Sequence, residues 1–250
     1  NIAADTDISN ISSTVDFTAS TPTVASGKTL TLTAAQANAE SFVNSGTVVI
    51  SASSGVQSTT VTGGVVKATM GAGADVLILG DAANVAATDE IDMGADSDEV
   101  RITADDDTTG AVFDDAGSGW EKLAIAASST ASENVVVNLN HTATDAIARE
   151  IDASALTNAG AGFKLVVGTE AKTTGALSIK GSAGVNIVAG GAGDDVLDLG
   201  ATAITAADEI SLGAGTDEVK IIALGTNATS AVDQVFDNAG AGWDKLTISP

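Results

Sequence analysis

Glycine and aspartate recur in this sequence at spacings suited to holding a metal ion. The residues from Gly190 to Asp198 read Gly-Gly-Ala-Gly-Asp-Asp-Val-Leu-Asp, so small residues precede Asp195 and apolar residues follow it. Glycine adopts backbone conformations closed to other residues, which allows a tight turn whose carbonyls face a cation. Carboxylate and carbonyl oxygens are the ligands that Ca²⁺ prefers. The pattern therefore predicts a calcium-binding turn at Asp195.

The same turn occurs a second time at a fixed distance along the chain. Residues 71–80 align without a gap with residues 191–200, at an offset of 120 positions, which places Asp75 opposite Asp195. Three further pairs of segments align in the same order, namely Asp89–Ile91 with Asp208–Ile210, Asp98–Ile102 with Asp217–Ile221, and Val112–Leu123 with Val235–Leu246. The chain therefore divides into an N-terminal segment, residues 1–27, and two repeat modules with calcium-binding turns, residues 28–130 and 131–250.

A shorter repeat of nine residues runs inside each module. Asn186 precedes Asp195 by nine residues, and Asp208 precedes Asp217 by nine. In a nonapeptide of the form Gly-Gly-x-Gly-x-Asp-x-U-x, where U is a large apolar residue, each turn leads into a short strand whose alternate side chains face inward. Two nonapeptides complete one coil, so turns about 18 residues apart stack on one side.

This rule predicts which turns lie next to each other. Asp75 is expected to stack on Asp98, and Asp195 on Asp217, with the additional residues forming loop insertions. Asn186 and Asp208 are expected on the opposite side of the second module. In the turn before Asp98, Gly-Ala-Asp replaces Gly-x-Gly. The candidate metal ligands are Gly71, Gly73, Asp75, Asp89, Gly94, Asp96, Asp98, Asn186, Gly191, Gly193, Asp195, Asp208, Gly213, Gly215 and Asp217.

The overall charge restricts the partners of the chain. The 250 residues include 10 Lys and Arg against 33 Asp and Glu, for a formal charge of −23. Such a chain repels nucleic acid and anionic membranes, so neither nucleic-acid binding nor membrane insertion is expected. The hydrophobic content of 44% allows a buried core, which a disordered acidic tail lacks. There is no cysteine, which excludes disulfides and thiolate metal sites.

An enzymatic function is not expected. The sequence contains one histidine, His141, and none of the usual zinc-protease, serine-hydrolase or phosphate-loop motifs. An acidic pair for glycoside chemistry is compatible with the sequence, but no aromatic cleft accompanies one. Trp120 and Trp243 each precede an apolar strand and are expected in the core or at its ends. His141, Asp105–Asp107 and Asp114–Asp115 are expected in solvated loops.

One local signal predicts a helix. Thr33 and Gln36 have the spacing of a capping box, so a short helix is expected to begin after Thr33. The sequence contains no signal peptide and no apolar run long enough to cross a membrane, and it runs from Asn1 to Pro250. We therefore expect it to be a segment of a longer protein.

The glycine–aspartate nonapeptides resemble the RTX, or hemolysin-type, calcium-binding repeat family. The resemblance rests on Gly190–Asp198 and on the matching run at Gly71–Gly80. It implies an all-β fold made of right-handed parallel β-roll or β-solenoid segments. It also implies Ca²⁺ held between stacked turns and type I secretion.

A resemblance to one branch of that family covers more of the chain. The order of Ile151–Gly160, a Val-rich strand, the nonapeptides and then Gly242–Ile248 is similar to RTX-containing bacterial surface-layer (S-layer) proteins. This implies a secreted structural protein of the cell surface or outer membrane, in which self-assembly into a lattice depends on Ca²⁺. The implied partners are calcium ions and copies of the chain, and cell-surface polysaccharide is a further candidate. The stalk or ligand-binding region of a large RTX adhesin, and the calcium domain of a secreted protease or lipase, remain alternatives.

Overall fold

The chain is almost entirely β-structure in a computed structural model. The structure describes residues 1–10, 21–38, 40–51, 53–54, 57–79, 90–104, 111–112, 117–127, 134–139, 146–157, 162–167, 173–200, 204, 207–221, 242 and 244–248. It divides into two compact units, of which the first contains residues 1–103 and 116–123, and the second contains residues 104–115 and 124–250.

The strands are short. As far as residue 104, the strands and the one helix among the described residues are β1 (Thr6–Asp7), β2 (Thr23–Val24), β3 (Thr29–Thr33), α1 (Ala34–Ala37), β4 (Ser41–Asn44), β5 (Thr47–Ser51), β6 (Ser53–Ser54), β7 (Ser58–Thr62), β8 (Val65–Thr69), β9 (Gly71–Ala72), β10 (Val76–Leu79), β11 (Glu90–Asp92) and β12 (Glu99–Ala104). The strands that follow are β13 (Ala111–Val112), β14 (Gly117–Ser118), β15 (Lys122–Ala127), β16 (Asn134–Leu139), β17 (Arg149–Asp152), β18 (Gly162–Val167), β19 (Leu177–Lys180), β20 (Val185–Ala189), β21 (Val196–Asp198), β22 (Glu209–Ser211), β23 (Glu218–Ile221) and β24 (Lys245–Ile248).

Each unit contains two rows of hydrogen-bonded strands. In the first unit, row 1 has the order β1-β3-β5-β8-β11-β14, and row 2 has the order β2-β4-β7-β10-β12-β15, while β6 pairs with β9. In the second unit, row 3 has the order β13-β16-β18-β20-β22, and row 4 has the order β17-β19-β21-β23-β24. Successive strands belong to alternate rows of a unit for most of the chain. A strand therefore pairs mainly with a strand that lies two or three places further along the chain.

The pairing is parallel, and its register follows the spacing of the turns. Val76 of β10 lies opposite Ser58 of β7, an 18-residue step, and opposite Glu99 of β12, a 23-residue step. In row 4, Val196 of β21 lies opposite Glu218 of β23, a 22-residue step. The 23-residue step places the turn before β12 beside the turn before β10. The 22-residue step places the turn before β23 beside the turn before β21. The predicted stacking of those turns is therefore confirmed.

Alternate residues of each strand are buried. In β10, Leu77 and Leu79 are buried, whereas Val76 and Ile78 are partly exposed. Side chains on neighbouring residues of a strand point to opposite faces, so one face of each row contributes to the core. The core is mainly aliphatic and includes Trp120, which is fully buried as expected.

The predicted short helix is confirmed. The helix α1 is capped by Thr33, whose side chain accepts from the backbone N–H of Gln36, while the Gln36 side chain accepts from the backbone of Thr33. The predictions for Asp89, Asp105–Asp107, Asp114–Asp115, His141 and Trp243 lie outside the described residues. In the part of the chain that is described, no helix has the length and apolar character needed to span a membrane.

Candidate metal centre

Four polar residues in the first unit occupy the same position on successive strands. Gln57, Asp75, Asp98 and Glu121 each lie immediately before a strand of row 2. The backbone N–H of Gln57 donates to Oδ1 of Asp75 at 2.7 Å, and that of Asp75 donates to Oδ1 of Asp98 at 2.7 Å. The N–H of Asp98 donates to Oε2 of Glu121 at 2.8 Å. We call this series of side chain–backbone bonds the first ladder.

The two aspartates of the first ladder are buried with one oxygen each unused. Asp75 and Asp98 are both 1% exposed, and the Oδ2 atom of each is buried without a hydrogen-bond donor. The pKa of Asp98 is raised to about 6, mainly by burial. The hydrogen bond from the Asp75 N–H opposes this rise, and the neighbouring carboxylates of Asp75, Glu121 and Asp96 add to it. Burial likewise raises the pKa of Asp75 above its ordinary value. The site therefore concentrates negative charge where it is poorly solvated.

The second unit contains an equivalent arrangement, which we call the second ladder. The N–H of Leu177 donates to Oδ1 of Asp195 at 2.8 Å, and the N–H of Asp195 donates to Oδ1 of Asp217 at 2.7 Å. The N–H of Asp217 donates to Oδ2 of Asp244 at 3.0 Å. Asp195 and Asp217 are fully buried. Each step connects one strand of row 4 to the next.

Asp195 differs from its counterpart Asp75 in the use of its second oxygen. Oδ2 of Asp195 accepts from the backbone N–H of Gly191 at 2.9 Å, which closes the glycine turn on itself. Both carboxylate oxygens therefore have backbone donors. Burial still raises the pKa of Asp195 to about 6, and the hydrogen bonds from Leu177 and Gly191 oppose that effect.

Backbone conformation explains several of the turn glycines. Gly71, Gly73 and Gly94 have φ of 112°, 119° and 94°, in the region that side-chain-bearing residues rarely adopt. Asp96 has φ of 91°, so it takes the conformation that glycine has elsewhere in these turns. Its Oδ2 accepts from the N–H of Gly73 at 3.0 Å, which connects this turn to the neighbouring one.

The second unit uses its glycines in two ways. Gly213 and Gly215 have φ of 94° and 141°, as the predicted tight turn requires. Gly191 and Gly193 lie outside that region, so the expected special conformation is wrong for these two. A Cβ atom at Gly191 would collide with the carbonyl of Thr173, and one at Gly193 with the carbonyl of Gly175. Close stacking of the turns therefore requires glycine at both positions.

Asn186, within β20, and Asp208, immediately before β22, lie together on neighbouring strands of row 3, as predicted. The N–H of Asn186 donates to Oδ1 of Asp208 at 2.6 Å. The amide oxygen of Asn186 accepts from both the N–H and the hydroxyl of Ser182, and its amide nitrogen donates to the carbonyls of Ser182 and Gly184. Asn186 thus closes its own turn in the way that Asp195 closes the turn of Gly191.

The structure brings together the predicted pairs and adds residues that sequence reasoning missed. Gln57, Glu121 and Asp244 belong to the ladders, although no glycine-rich nonapeptide precedes them. Glu121 and Asp244 had a detectable signal, since both follow tryptophan in the aligned Gly-Trp-acid-Lys-Leu segments. Gln57 had no such signal in the sequence, because the only feature that it shares with the other ladder residues is its position before a strand.

The ligands available to a metal are mainly single carboxylates and backbone oxygens. No group of three or more His, Cys, Asp or Glu side chains converges on a metal-sized position within the described residues. Any cation at the ladders would therefore take carbonyl oxygens of the turns in addition to aspartate. No protein-family model, no curated protein and no solved structure matches this chain.

Proposed function

We propose that this chain is a structural segment of a secreted cell-surface protein, in which Ca²⁺ bound at stacked glycine–aspartate turns stabilises a parallel β-solenoid. The observation that carries the proposal is the pair of buried aspartates in the first ladder, Asp75 and Asp98, each with an oxygen that lacks a donor. The role is mechanical, not catalytic.

The strand arrangement supports a coil. The chain alternates between two rows, pairing is parallel, and the steps between partners are 18, 22 and 23 residues in the glycine–aspartate regions. In a solenoid each coil contacts mainly its neighbours, and stability is a sum over coils and their interfaces. Bonds that connect one coil to the next, such as those of the ladders, then determine whether the stack holds. A right-handed sense of the coil is what the resemblance to the RTX repeat family implies.

Buried carboxylates need compensation at neutral pH. Moving an ionised group out of water costs on the order of several kcal/mol, unless the group is paired or hydrogen-bonded. Asp75 and Asp98 each have one backbone donor, and no Lys or Arg forms an ion pair with them among the described residues. A cation would neutralise this charge, whereas the alternative is protonation of the carboxyl groups.

Calcium fits these ligands better than the other common cations. It accepts six to eight oxygens in an irregular arrangement, which suits aspartate side chains mixed with turn carbonyls. Magnesium requires nearly octahedral geometry, and zinc prefers histidine and cysteine. The Asp75 and Asp98 carboxylates and the carbonyls of the glycine turns would hold the ion. Bound Ca²⁺ would supply positive charge between neighbouring coils.

Calcium binding would be coupled to folding. The chain has a formal charge of −23 and 27 glycines, so repulsion and conformational entropy both oppose ordering. An ion that binds only the ordered turns contributes its binding free energy to folding. Low cytosolic Ca²⁺ would leave the chain loosely folded for type I secretion, and millimolar Ca²⁺ outside the cell would complete the fold. Copies of the chain would then assemble into a surface layer.

Calcium titration of the whole chain tests the proposal. Circular dichroism in excess EGTA should lose β-structure that Ca²⁺ restores, with equimolar Mg²⁺ as the control. At free Ca²⁺ one hundred times the dissociation constant, one site should stabilise the fold by about 2.7 kcal/mol. An unchanged spectrum in EGTA, together with no heat on Ca²⁺ injection, would refute the calcium function.

Electron microscopy tests the assembly step separately. With Ca²⁺ present, ordered two-dimensional sheets are expected if the chain forms a surface layer. Isolated rods under the same conditions would favour an adhesin stalk. The EGTA-treated sample serves as the control, because neither assembly should form from it.

A further inference from the structure

We infer that the first unit contains the tightest calcium site, between the turns of Asp75 and Asp98, and that the Asp195 turn of the second unit is closed without metal. The inference rests on the proposed function and locates it within the chain. The sequence alone favours the opposite, since the complete nonapeptide, Gly190–Asp198, lies in the second unit.

The first step of the argument is the number of carboxylate oxygens left for a cation. Backbone carbonyls are available in every turn, so a site between two stacked turns gains most negative charge where each turn also contributes a carboxylate oxygen. In the first ladder both turns supply one, because Oδ2 of Asp75 and Oδ2 of Asp98 are buried without a hydrogen-bond donor. In the second ladder the turn of Asp195 supplies none, because Leu177 and Gly191 donate to its two oxygens at 2.8 and 2.9 Å.

The second step concerns how each turn is closed. In the second unit the Asp195 side chain bonds to the N–H of Gly191, four residues earlier in the chain. Asn186 makes the equivalent bond to Ser182 in the same unit, with a neutral amide that needs no counter-ion. Asp75 bonds instead to Gln57, on the neighbouring strand. The turn before Asp75 therefore lacks this internal bond and has a carboxylate oxygen available for a cation.

A third carboxylate adds negative charge beside the first ladder. Asp96 lies in the turn before Asp98, where it has a positive φ of 91°. Its exposed side chain reaches the neighbouring turn through the N–H of Gly73. The aligned position in the second unit is Gly215, which has no side chain to offer. The first unit thus combines two buried carboxylates with a third at the surface.

Matched substitutions in the whole chain test the inference by calorimetric Ca²⁺ titration. Asp75→Asn and Asp195→Asn change equivalent positions in the two ladders. Asp75→Asn should weaken the tightest Ca²⁺ binding by about tenfold or more, whereas Asp195→Asn should change it less than about threefold. Asp98→Asn should weaken Ca²⁺ binding by a similar factor, because it also removes a carboxylate. Its amide oxygen still accepts from the N–H of Asp75, so the ladder bond is kept. Circular dichroism at saturating Ca²⁺ verifies that each variant is folded.

The outcomes separate this inference from the broader proposal. If the unsubstituted chain binds no Ca²⁺, the proposed function fails and the inference fails with it. If the unsubstituted chain binds Ca²⁺ but Asp195→Asn loses as much affinity as Asp75→Asn, only the inference is overturned. If Asp195→Asn does not fold, Asp75→Asn alone still decides, because an unchanged affinity of the tightest site in that variant overturns the inference.

Discussion

The backbone N–H of Asp98 donates to Oε2 of Glu121 at 2.8 Å, and this bond is the last step of the first ladder. The N–H of Asp217 donates to Asp244 at 3.0 Å in the same position of the second ladder. In both units an acid that follows tryptophan therefore completes the series begun by the aspartates of the glycine turns.

Replacement of Glu121 tests whether that last step stabilises the fold. Glu121→Ala removes the acceptor for the N–H of Asp98 and should lower the free energy of unfolding by about 1 kcal/mol. Glu121→Gln keeps an oxygen at the same position and should lower it by less than half as much. Urea unfolding of the two variants at fixed Ca²⁺ measures the difference. Equal stability of the two variants would show that the bond contributes nothing.

The ladders show how far sequence reasoning extends in this chain. Parallel stacking of the Asp75 and Asp98 turns followed from spacing, because a repeating turn–strand unit fixes which residues lie side by side. The bond that joins them did not follow from spacing. The carboxylate accepts directly from the backbone of the next strand, and only coordinates reveal that Oδ2 of Asp75 remains unused while that of Asp195 is occupied.

Glycine illustrates a second limit of the sequence. Gly94 and Gly191 each lie four residues before the aspartate of their turn. Gly94 needs a positive φ as well as space beside Gly71, whereas Gly191 needs only space beside Thr173. Local propensity predicts the first requirement, since it concerns one residue alone. The second depends on the distance between stacked turns, which no local pattern encodes.

The inward-facing position of Leu77 in β10 makes it sensitive to truncation. Leu77 is fully buried, whereas its neighbour Ile78 points to the opposite face and is partly exposed. Leu77→Ala should lower the free energy of unfolding by about 2–5 kcal/mol because it leaves a cavity. Ile78→Ala is the matched control and should cost less than about 1 kcal/mol. Denaturant unfolding at saturating Ca²⁺ measures both, and a reversed order would contradict the described faces of β10.

The raised pKa values of Asp98 and Asp195 predict a pH dependence of the metal-free protein. Both carboxyls have a pKa of about 6 in the folded chain, above the ordinary value of 3.8, so the folded state binds protons more tightly than the unfolded state. Their stabilising effect is complete below about pH 4 and is lost as the pH rises through about 6. Each group should account for a loss of at most about 3 kcal/mol, which is the free-energy equivalent of a pKa rise from 3.8 to about 6. The fraction of folded chain in EGTA, followed by circular dichroism from pH 4 to pH 7.5, measures the trend.

A neutral side chain provides the control for this pH profile. Asp98→Asn keeps an oxygen for the N–H of Asp75 and removes the titrating group, so the decline in stability between pH 4 and pH 7.5 should be smaller. An identical profile for the variant and the unsubstituted chain would mean that Asp98 does not titrate in this range.

Alanine substitutions at two glycines of the first unit distinguish the cost of backbone strain from the cost of close packing. Gly27 has φ of 69° with open space around it, whereas Gly94 has φ of 94° and a Cβ atom there would collide with the carbonyl of Gly71. Gly27→Ala should therefore lower the free energy of unfolding by about 1–2 kcal/mol through conformation alone. Gly94→Ala should lower it by about 1–3 kcal/mol more, since the stacked turns must also move apart. Because that movement disturbs the neighbourhood of Asp96, Gly94→Ala should weaken Ca²⁺ binding as well, and Gly27→Ala should not. Equal losses of stability in the two variants, measured by urea unfolding, would contradict the close stacking of these turns.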